Sequence, residues 1–153
     1  MTYTVSLESA VDNYDEMKAL YTRHYSEMQS RLANEGIHIP EYNPRLDVYF
    51  DAWRRGDMLN FVVRLDGKAV GYSNIYLTND MHNRELIATE DTIYMLPEHR
   101  NGTGRLLSKF ILNHLRGLGV KRLSVTALTD LRVAKLWERM GFKHTAHAMT
   151  YTF

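Results

Sequence analysis

The chain has 153 residues, of which 44% are hydrophobic and 24% are charged, a balance typical of one globular domain with a sizeable core. Its formal net charge is +1 with histidine neutral, so the whole molecule gives no reason to expect binding to nucleic acid or to an anionic membrane. The absence of cysteine excludes disulfides, thiolate zinc sites and a cysteine acyl-enzyme.

We expect a single domain over residues 1–153 and a cytoplasmic location. No apolar run approaches the roughly 18 residues of a membrane span, and no signal-peptide pattern follows Met1.

The N-terminal third predicts a strand followed by two helices. Residues 2–7 alternate as a strand does, residues 12–36 carry a long helical stripe, and residues 43–56 predict a shorter helix. His24 and Tyr25 could lie near a substrate cleft, but aromatic residues at this helical spacing are more often core, which is the interpretation we favour.

The middle of the chain predicts a β-hairpin and then a long strand. Residues 61–65 and 68–77 are separated by Asp66-Gly67, which suits a primed turn between two antiparallel strands. After the polar segment 78–84, the next strand should run from about Glu85 to Leu96.

The C-terminal third predicts a strand-helix-strand crossover. A helix ending at Gly119 leads into a strand at 122–127, so the strands before and after this helix should be parallel and the connection right-handed. A further helix, capped by Thr129 or Asp130, should precede an alternating tail at 142–153 that completes the sheet.

The turn before the crossover helix predicts an anion-binding site. In Gly102-Thr103-Gly104, two glycines allow close backbone approach, and the first-turn amides of the helix lack intrahelical acceptors, so a diphosphate would fit there. The pattern is neither a Walker loop nor a dinucleotide fingerprint, which would need a third glycine at Leu107.

The segment Met95-Leu96-Pro97-Glu98-His99-Arg100, followed by Gly102-Thr103-Gly104, resembles the acetyl-CoA motif of the GNAT superfamily of N-acetyltransferases. His99 occupies the position of the usual Gln or Arg, and Arg100 lies one residue nearer the glycines than in the common form. The loop is therefore one residue short.

A second segment, from Asp130 to Phe142, resembles another phrase of the same superfamily. Asp130 replaces its asparagine, Val133 its alanine, and Trp137 the tyrosine whose hydroxyl often protonates the departing CoA thiolate. The segment from Asp91 to Arg100, preceded by His82, is also similar to GNAT proteins encoded by tailed phages, which would place the protein in a host cytoplasm.

The resemblance implies an α/β (α+β) GNAT fold, with a central mixed twisted sheet of about six to seven strands flanked by about four helices. It implies acetyl-CoA as co-substrate and direct attack by a primary amine, borne by a small molecule or a protein, with the second helix beside the acceptor. The residues expected to bind the cofactor are Met95, Leu96, Arg100, Asn101, Gly102, Thr103, Gly104, Arg105, Asp130, Lys135 and Trp137.

Four residues are candidates for catalysis. Glu90 and Asp91 are adjacent carboxylates on the long strand, where alternation lets only one face a cleft, and a bulge would leave the choice open. We favour Asp91 slightly as general base, with Glu90 and then His82 as alternatives. Tyr94, or else Tyr151, could supply the missing acid.

The remaining expectations concern the oxyanion, metals, partners and rival functions. A strand amide near Met95 or Leu96 should polarise the thioester carbonyl. His144 and His147 would face opposite ways on a strand, so we expect no metal. A strand at 148–153 could pair across a homodimer.

The alternative function is an acyl-CoA-binding or interaction module without turnover. A third possibility, a nucleic-acid binder, is disfavoured by the near-neutral charge.

Overall fold

The computed structural model describes residues 2–127 and 131–153. In that part of the chain, five strands and four α-helices follow one another as β1 (Tyr3–Glu8), α1 (Tyr14–Asn34), α2 (Leu46–Arg54), β2 (Met58–Leu65), β3 (Lys68–Asn79), β4 (Leu86–Met95), α3 (Thr103–Gly117), β5 (Arg122–Ser124) and α4 (Leu131–Arg139). A short 3₁₀ turn at Pro97–His99 links β4 to α3.

The strands form one mixed sheet in the order β1-β2-β3-β4-β5. The first four are antiparallel neighbours, and β5 pairs in parallel with β4, which confirms the predicted crossover through α3. The hairpin between β2 and β3 is also confirmed, because Asp66 and Gly67 both have positive φ, 50° and 83°, as a type I′ turn requires.

The expected count of six to seven strands is wrong for the described residues, which contain five. The tail from Lys143 to Phe153 forms no strand and is exposed throughout, so the expectation that residues 142–153 complete the sheet is wrong. An alternating pattern predicts only that a segment would fit a pleated surface. β5, the strand at that edge, is three residues long and offers little ladder to extend.

The core lies on both faces of the sheet. On one face α3 packs against the strands, and this cluster contains Phe61, Val63, Val70, Ile75, Ala88, Met95, Leu107, Ile111 and Leu115. On the other face α1 covers a second cluster of Tyr14, Met17, Leu20, Tyr21, Val62, Ala69, Tyr72 and Tyr94, with Leu46 and Phe50 of α2 packed against it. Tyr72 and Tyr94 therefore point towards α1, and Met95 points towards α3.

Among the described residues, no helix combines the length and the apolar character that crossing a bilayer demands.

Candidate active site

β4 and β5 are paired over a short stretch only and then separate. Their register joins Ile87–Thr89 to Arg122–Ser124 and goes no further. From Glu90 onwards, β4 keeps β3 on one side and has an open backbone edge on the other. A pocket lies in this gap between the two parallel strands.

The pocket has a volume of about 520 Å³ and is bounded by α1, β4, the turn before α3, the end of β5 and α4. Nine of the residues predicted from the sequence line it: Glu90, Asp91, Tyr94, Met95, Arg100, Gly102, Gly104, Arg105 and Trp137. The lining also includes residues that the sequence did not single out for the site: Glu27, Met28, Arg31, Thr92, Ile93, Leu107, Thr126, Ala127, Arg132, Val133 and Leu136.

A bulge in β4 explains how two adjacent carboxylates both reach the pocket. Asn74 pairs with Thr92 and Ile75 pairs with Glu90, so Asp91 is an extra residue without a partner on β3. The alternation of the strand is interrupted at this point. Both Glu90 and Asp91 line the pocket, which a regular strand would not allow.

Glu90 is the buried member of the carboxylate pair. It is 8% exposed and makes no hydrogen bond or ion pair with any other described residue. Burial, reinforced by the negative charge of Asp91, raises the pKa of Glu90 to about 7. Near neutral pH the carboxyl group is therefore divided between its protonated and ionised forms.

Asp91 is more exposed to water than Glu90, but it also lines the pocket. Its side chain is exposed, and desolvation in the pocket still raises its pKa above the usual value. The Asp91 charge contributes to the raised pKa values of Tyr72 and Tyr76.

The open edge of β4 presents main-chain groups to the pocket. Leu96 donates its N–H to Val70 O at 2.9 Å, so this amide is already used and the expectation that it polarises a carbonyl is wrong. Hydrogen-bonded and non-hydrogen-bonded pairs alternate along an antiparallel ladder, so the neighbouring Met95 directs its N–H away from β3. Met95 N–H is therefore the available donor at the end of β4.

The turn into α3 has the geometry of an anion-binding helix start. Gly102 precedes the helix with φ of 93°, a conformation that favours glycine. The first helical hydrogen bond runs from Leu106 N–H to Gly102 O, so the amides of residues 103–105 precede the ladder, and no side chain caps them. A Cβ added at Gly104 would touch only Leu136 Cδ2, at 3.6 Å.

Glu27 of α1 joins β4 to the turn before α3. Its Oε1 accepts a hydrogen bond from the Tyr94 hydroxyl at 2.8 Å, and its Oε2 accepts one from Arg100 Nη2 at 3.1 Å. Arg100 also donates from Nε to Met95 O at 2.8 Å, and its guanidinium carbon lies 5.5 Å from the centre of the Tyr94 ring. Arg100 is thus a structural clamp as well as a basic group of the turn.

His24 lies beside this clamp on α1. Its ring stacks on Tyr94 with 4.7 Å between centroids, and its Nδ1 is 2.6 Å from the Tyr72 hydroxyl. Burial lowers the pKa of His24 to about 4, so the imidazole is neutral at physiological pH. Our preference for a purely core role is incomplete, because His24 packs on two core tyrosines and also lines the pocket.

Trp137 closes the α4 side. It is 6% exposed, packs against Phe142 with 5.0 Å between ring centroids, and donates its indole N–H to Thr126 O at 3.4 Å. This contact holds α4 against the segment that follows β5. The only polar group of the side chain is therefore engaged with the backbone.

Several predicted residues lie outside the pocket lining. His82 is exposed in the turn between β3 and β4, where its N–H binds Asp80 Oδ1, and Tyr151 is 80% exposed in the tail. Neither position supports the catalytic role considered for it. Four further predicted residues do not line the pocket: Leu96, Asn101, Thr103 and Lys135. Asp130 lies outside the described residues.

Metal ligation finds no support in the described part of the chain. It contains no cluster of three or more His, Cys, Asp or Glu side chains arranged to hold an ion.

The sequence matches the model of the Acetyltransferase (GNAT) family over residues 14–142. The chain belongs to this family, whose members use acetyl-CoA. A search of curated protein sequences finds no significant match.

Solved structures agree with this assignment of the fold. An aminoglycoside acetyltransferase from an uncultured soil metagenomic sample superposes with a TM-score of 0.76 at 14% identity, covering 100% of this chain and 99% of that chain. AAC(6')-Iy in complex with a CoA bisubstrate analogue gives 0.75 at 14% identity, covering 100% and 99%. The ribosomal-protein-alanine N-acetyltransferase of Brucella melitensis gives 0.70 at 14% identity, covering 100% of both chains. At these identities the likeness shows the fold alone.

Proposed function

We propose that the protein is an N-acetyltransferase that transfers the acetyl group of acetyl-CoA to a primary amine by direct attack in a ternary complex. One observation carries the proposal: the open edge of β4, the uncapped start of α3 and the buried, unpartnered carboxylate of Glu90 share one pocket. Together these features supply a place for the cofactor, an oxyanion donor and a base.

The start of α3 would hold the diphosphate of CoA. Its first amides carry the positive end of the helix dipole, and Gly104 leaves the space in front of them open. Arg105, exposed in the first turn, adds a positive charge, and no acidic residue in that turn opposes it.

Met95 would stabilise the transition state through its backbone. When the amine nitrogen attacks the thioester carbon, negative charge develops on the carbonyl oxygen. A fixed N–H at the end of the strand can donate a hydrogen bond to this oxygen and stabilise the charge. Arg100 Nε binds the carbonyl of the same residue, which fixes the peptide units at the end of β4.

Glu90 is the stronger candidate for the base, although the sequence slightly favoured Asp91. An alkyl ammonium with pKa near 10.4 is neutral in only about one molecule in a thousand at pH 7.4, a cost of roughly 4 kcal/mol. A carboxyl with a pKa of about 7 is a stronger proton acceptor than an ordinary carboxylate and is still largely ionised at that pH. Glu90 would take this proton directly or through one water.

Thiolate departure would need no side-chain acid. Tyr94 donates its hydroxyl to Glu27, and its pKa is raised to about 12 by burial and by that hydrogen bond, which makes it a poor proton donor. The Trp137 indole N–H is bound to Thr126 O. A thiol of pKa near 8.5 leaves as thiolate at neutral pH with a mismatch of about 1.4–2.7 kcal/mol, which a working enzyme can tolerate.

The proposed reaction requires an amine as the acceptor, carried by a small molecule or by a protein. The names of the similar structures include acetyltransferases of aminoglycosides and of a ribosomal-protein alanine, so small molecules and proteins both occur as acceptors on this fold. They support an amine as the acceptor of this protein.

The second candidate function is acyl-CoA binding without turnover, and Trp137 favours it because an indole stands where the resemblance implies a tyrosine acid. Two measurements separate these functions. Both predict that acetyl-CoA raises the melting temperature, whereas only the enzyme releases free CoA when a panel of primary amines is added. Binding without amine-dependent release would replace the first proposal by the second.

A further inference from the structure

A line of buried polar side chains crosses the sheet and ends beside the β4 bulge. Asn60 of β2 and Asn74 of β3 are cross-strand partners, and Asn74 is paired in turn with Thr92, the first residue after the bulge. Asn60, Ser73 and Asn74 are 0%, 0% and 3% exposed. Most of the buried positions on β2 and β3 are apolar, so three buried polar residues next to the bulge need an explanation.

Hydrogen bonds join this line to α1 and to β4. Asn13, which precedes α1, donates its side-chain N–H to Asn60 Oδ1 at 2.9 Å, and Asn60 donates its own to Asn74 Oδ1 at 2.7 Å. The Ser73 hydroxyl donates to Thr92 O at 2.7 Å. A buried side chain of β3 therefore holds the main chain of β4 directly beside the bulge.

These bonds select a register more than they add stability. The net gain from one buried hydrogen bond is only about 1 kcal/mol, and apolar side chains of similar size would hold the sheet as well. Directional bonds differ from apolar contacts because they form in one arrangement only. A shift of β4 by one residue would remove Thr92 O from the Ser73 hydroxyl and would turn the side chains of the shifted part to the opposite face.

The bulge decides where the two carboxylates lie. Because Asp91 has no partner on β3, Glu90 and Asp91 both line the pocket, whereas regular alternation would direct one of them to the opposite face. Glu90 is also 8% exposed, so its carboxyl group cannot move far without changing its contact with water. Relaxation of the bulge would therefore change both the position and the hydration of this group.

We infer that Ser73 and Asn74 are positioning residues, which hold the β4 bulge in the register that directs Glu90 into the pocket. Neither residue lines the pocket, so each acts through the backbone of β4. Ser73 acts through its bond to Thr92 O, and Asn74 acts as the cross-strand partner of Thr92, held in place by Asn60. The inference rests on the proposed function and adds two residues to its catalytic machinery that need not touch cofactor or acceptor.

Ser73→Ala tests the inference, and Ser108→Ala is its matched control. Ser108 is 1% exposed and its hydroxyl donates to Gly104 O at 2.8 Å, so the control loses a similar buried bond within α3. The protonation midpoint of Glu90 is measured by carbon-13 NMR of its side-chain carboxyl in the free protein, with the signal assigned by its loss in Glu90→Gln. We expect the midpoint to fall by about half a pH unit or more in Ser73→Ala, because the carboxyl gains water, and to stay at the wild-type value in Ser108→Ala.

Asn74→Ala removes the second contact and should lower the midpoint as well. Both variants keep the other charged residues that line the pocket, namely Glu27, Arg31, Asp91, Arg100, Arg105 and Arg132. In turnover with a competent amine, kcat should fall by about tenfold or more in Ser73→Ala and Asn74→Ala, while Kd for acetyl-CoA stays unchanged. A displaced base slows the chemical step and leaves cofactor binding intact.

The outcomes separate this inference from the proposed function. A wild-type Glu90 midpoint in either folded variant, or an equal shift in Ser108→Ala, would overturn the inference even if kcat changes. A lower midpoint in Ser73→Ala and Asn74→Ala, with none in Ser108→Ala, would support it. The absence of CoA release with any amine would refute the proposed function, and the NMR midpoint would still decide whether Ser73 and Asn74 position Glu90.

Discussion

At the scale of single residues, the carboxylate pair shows what one sequence can and cannot predict. The sequence predicted that Glu90 and Asp91 lie on the long strand that the structure shows as β4. It could not choose between them, because a bulge changes which side chains face the pocket. The bulge is fixed by the register with β3, where Ile75 faces Glu90. The contacts of Glu27 were not predictable, because they join residues 67 and 73 positions apart.

The burial of Glu90 predicts a cost to stability that depends on pH. The folded pKa of about 7 lies above the ordinary value of 4.5, so the folded protein retains a proton that the unfolded chain releases between these values. Stability therefore falls as pH rises through this window. The difference between the two pKa values lowers the free energy of unfolding by at most about 3 kcal/mol above pH 7.

Replacing Glu90 by Gln should remove this cost. In urea unfolding, Glu90→Gln should exceed wild type in stability by about 1–3 kcal/mol at pH 8 and match it at pH 4. The exposed Glu35→Gln is the control and should show little change at either pH. A Glu90→Gln variant that is no more stable than wild type at pH 8 would mean that the carboxylate is not desolvated.

Trp137 should act by packing and through its bond to Thr126 O. Trp137→Phe should therefore lose about 1–3 kcal/mol of stability while kcat stays within about tenfold of wild type. Trp137→Tyr restores the hydroxyl implied by the resemblance and should raise kcat by less than about tenfold. A loss of more than about 100-fold in Trp137→Phe, with CoA affinity unchanged, would show that the indole takes part in catalysis.

At the scale of elements, most helices and strands could be predicted from periodicity and turn chemistry. Asp66-Gly67 specified the first hairpin, and Gly102 specified the start of α3. The last edge of the sheet could not be predicted, because β5 pairs with β4 at three positions only and the tail pairs with no strand. Local pattern does not encode the availability of a neighbouring strand.

The end of β4 depends on a glycine opposite it. A Cβ at Gly71 would lie 2.5 Å from Met95 Sδ and 2.8 Å from Tyr94 O, and the backbone atom cannot move without disturbing the strand. Gly71→Ala should cost about 1–3 kcal/mol in denaturant unfolding. Gly117→Ala, at an open position in the last turn of α3, should be neutral or slightly stabilising.

If Gly71→Ala were as stable as Gly117→Ala, β3 and β4 would have to separate easily at Met95. Such a separation is incompatible with a fixed oxyanion donor there.

The start of α3 can be tested without disturbing the fold. Gly104 is not in the left-handed region, and a Cβ there makes one ordinary contact, so Gly104→Val should fold. Acetyl-CoA at one hundred times Kd should stabilise wild type by about 2.7 kcal/mol, and this stabilisation should be absent in Gly104→Val. Gly117→Val is the control at the other end of the helix. An undiminished shift in Gly104→Val would place the diphosphate elsewhere.

At the scale of the whole molecule, the site exists because the sheet opens. α1 covers one face, α3 covers the other, and the gap between β4 and β5 joins the two sides in a single pocket. Basic groups of the turn before α3 and the carboxylates of the β4 bulge line the same pocket. A net charge of +1 conceals these groups of opposite charge, which folding brings together.

The central claim is that this pocket transfers an acetyl group with Glu90 as the base, and the pH dependence of kcat in Glu90→Gln tests it most directly. Turnover is followed as CoA released together with an equal amount of N-acetylated amine. In wild type, kcat should rise with pH near pH 7. In Glu90→Gln this rise should disappear and kcat should fall by a factor of about 10²–10⁴, while CoA binds normally. A Glu90→Gln variant with the wild-type rate and the same rise with pH would contradict the account.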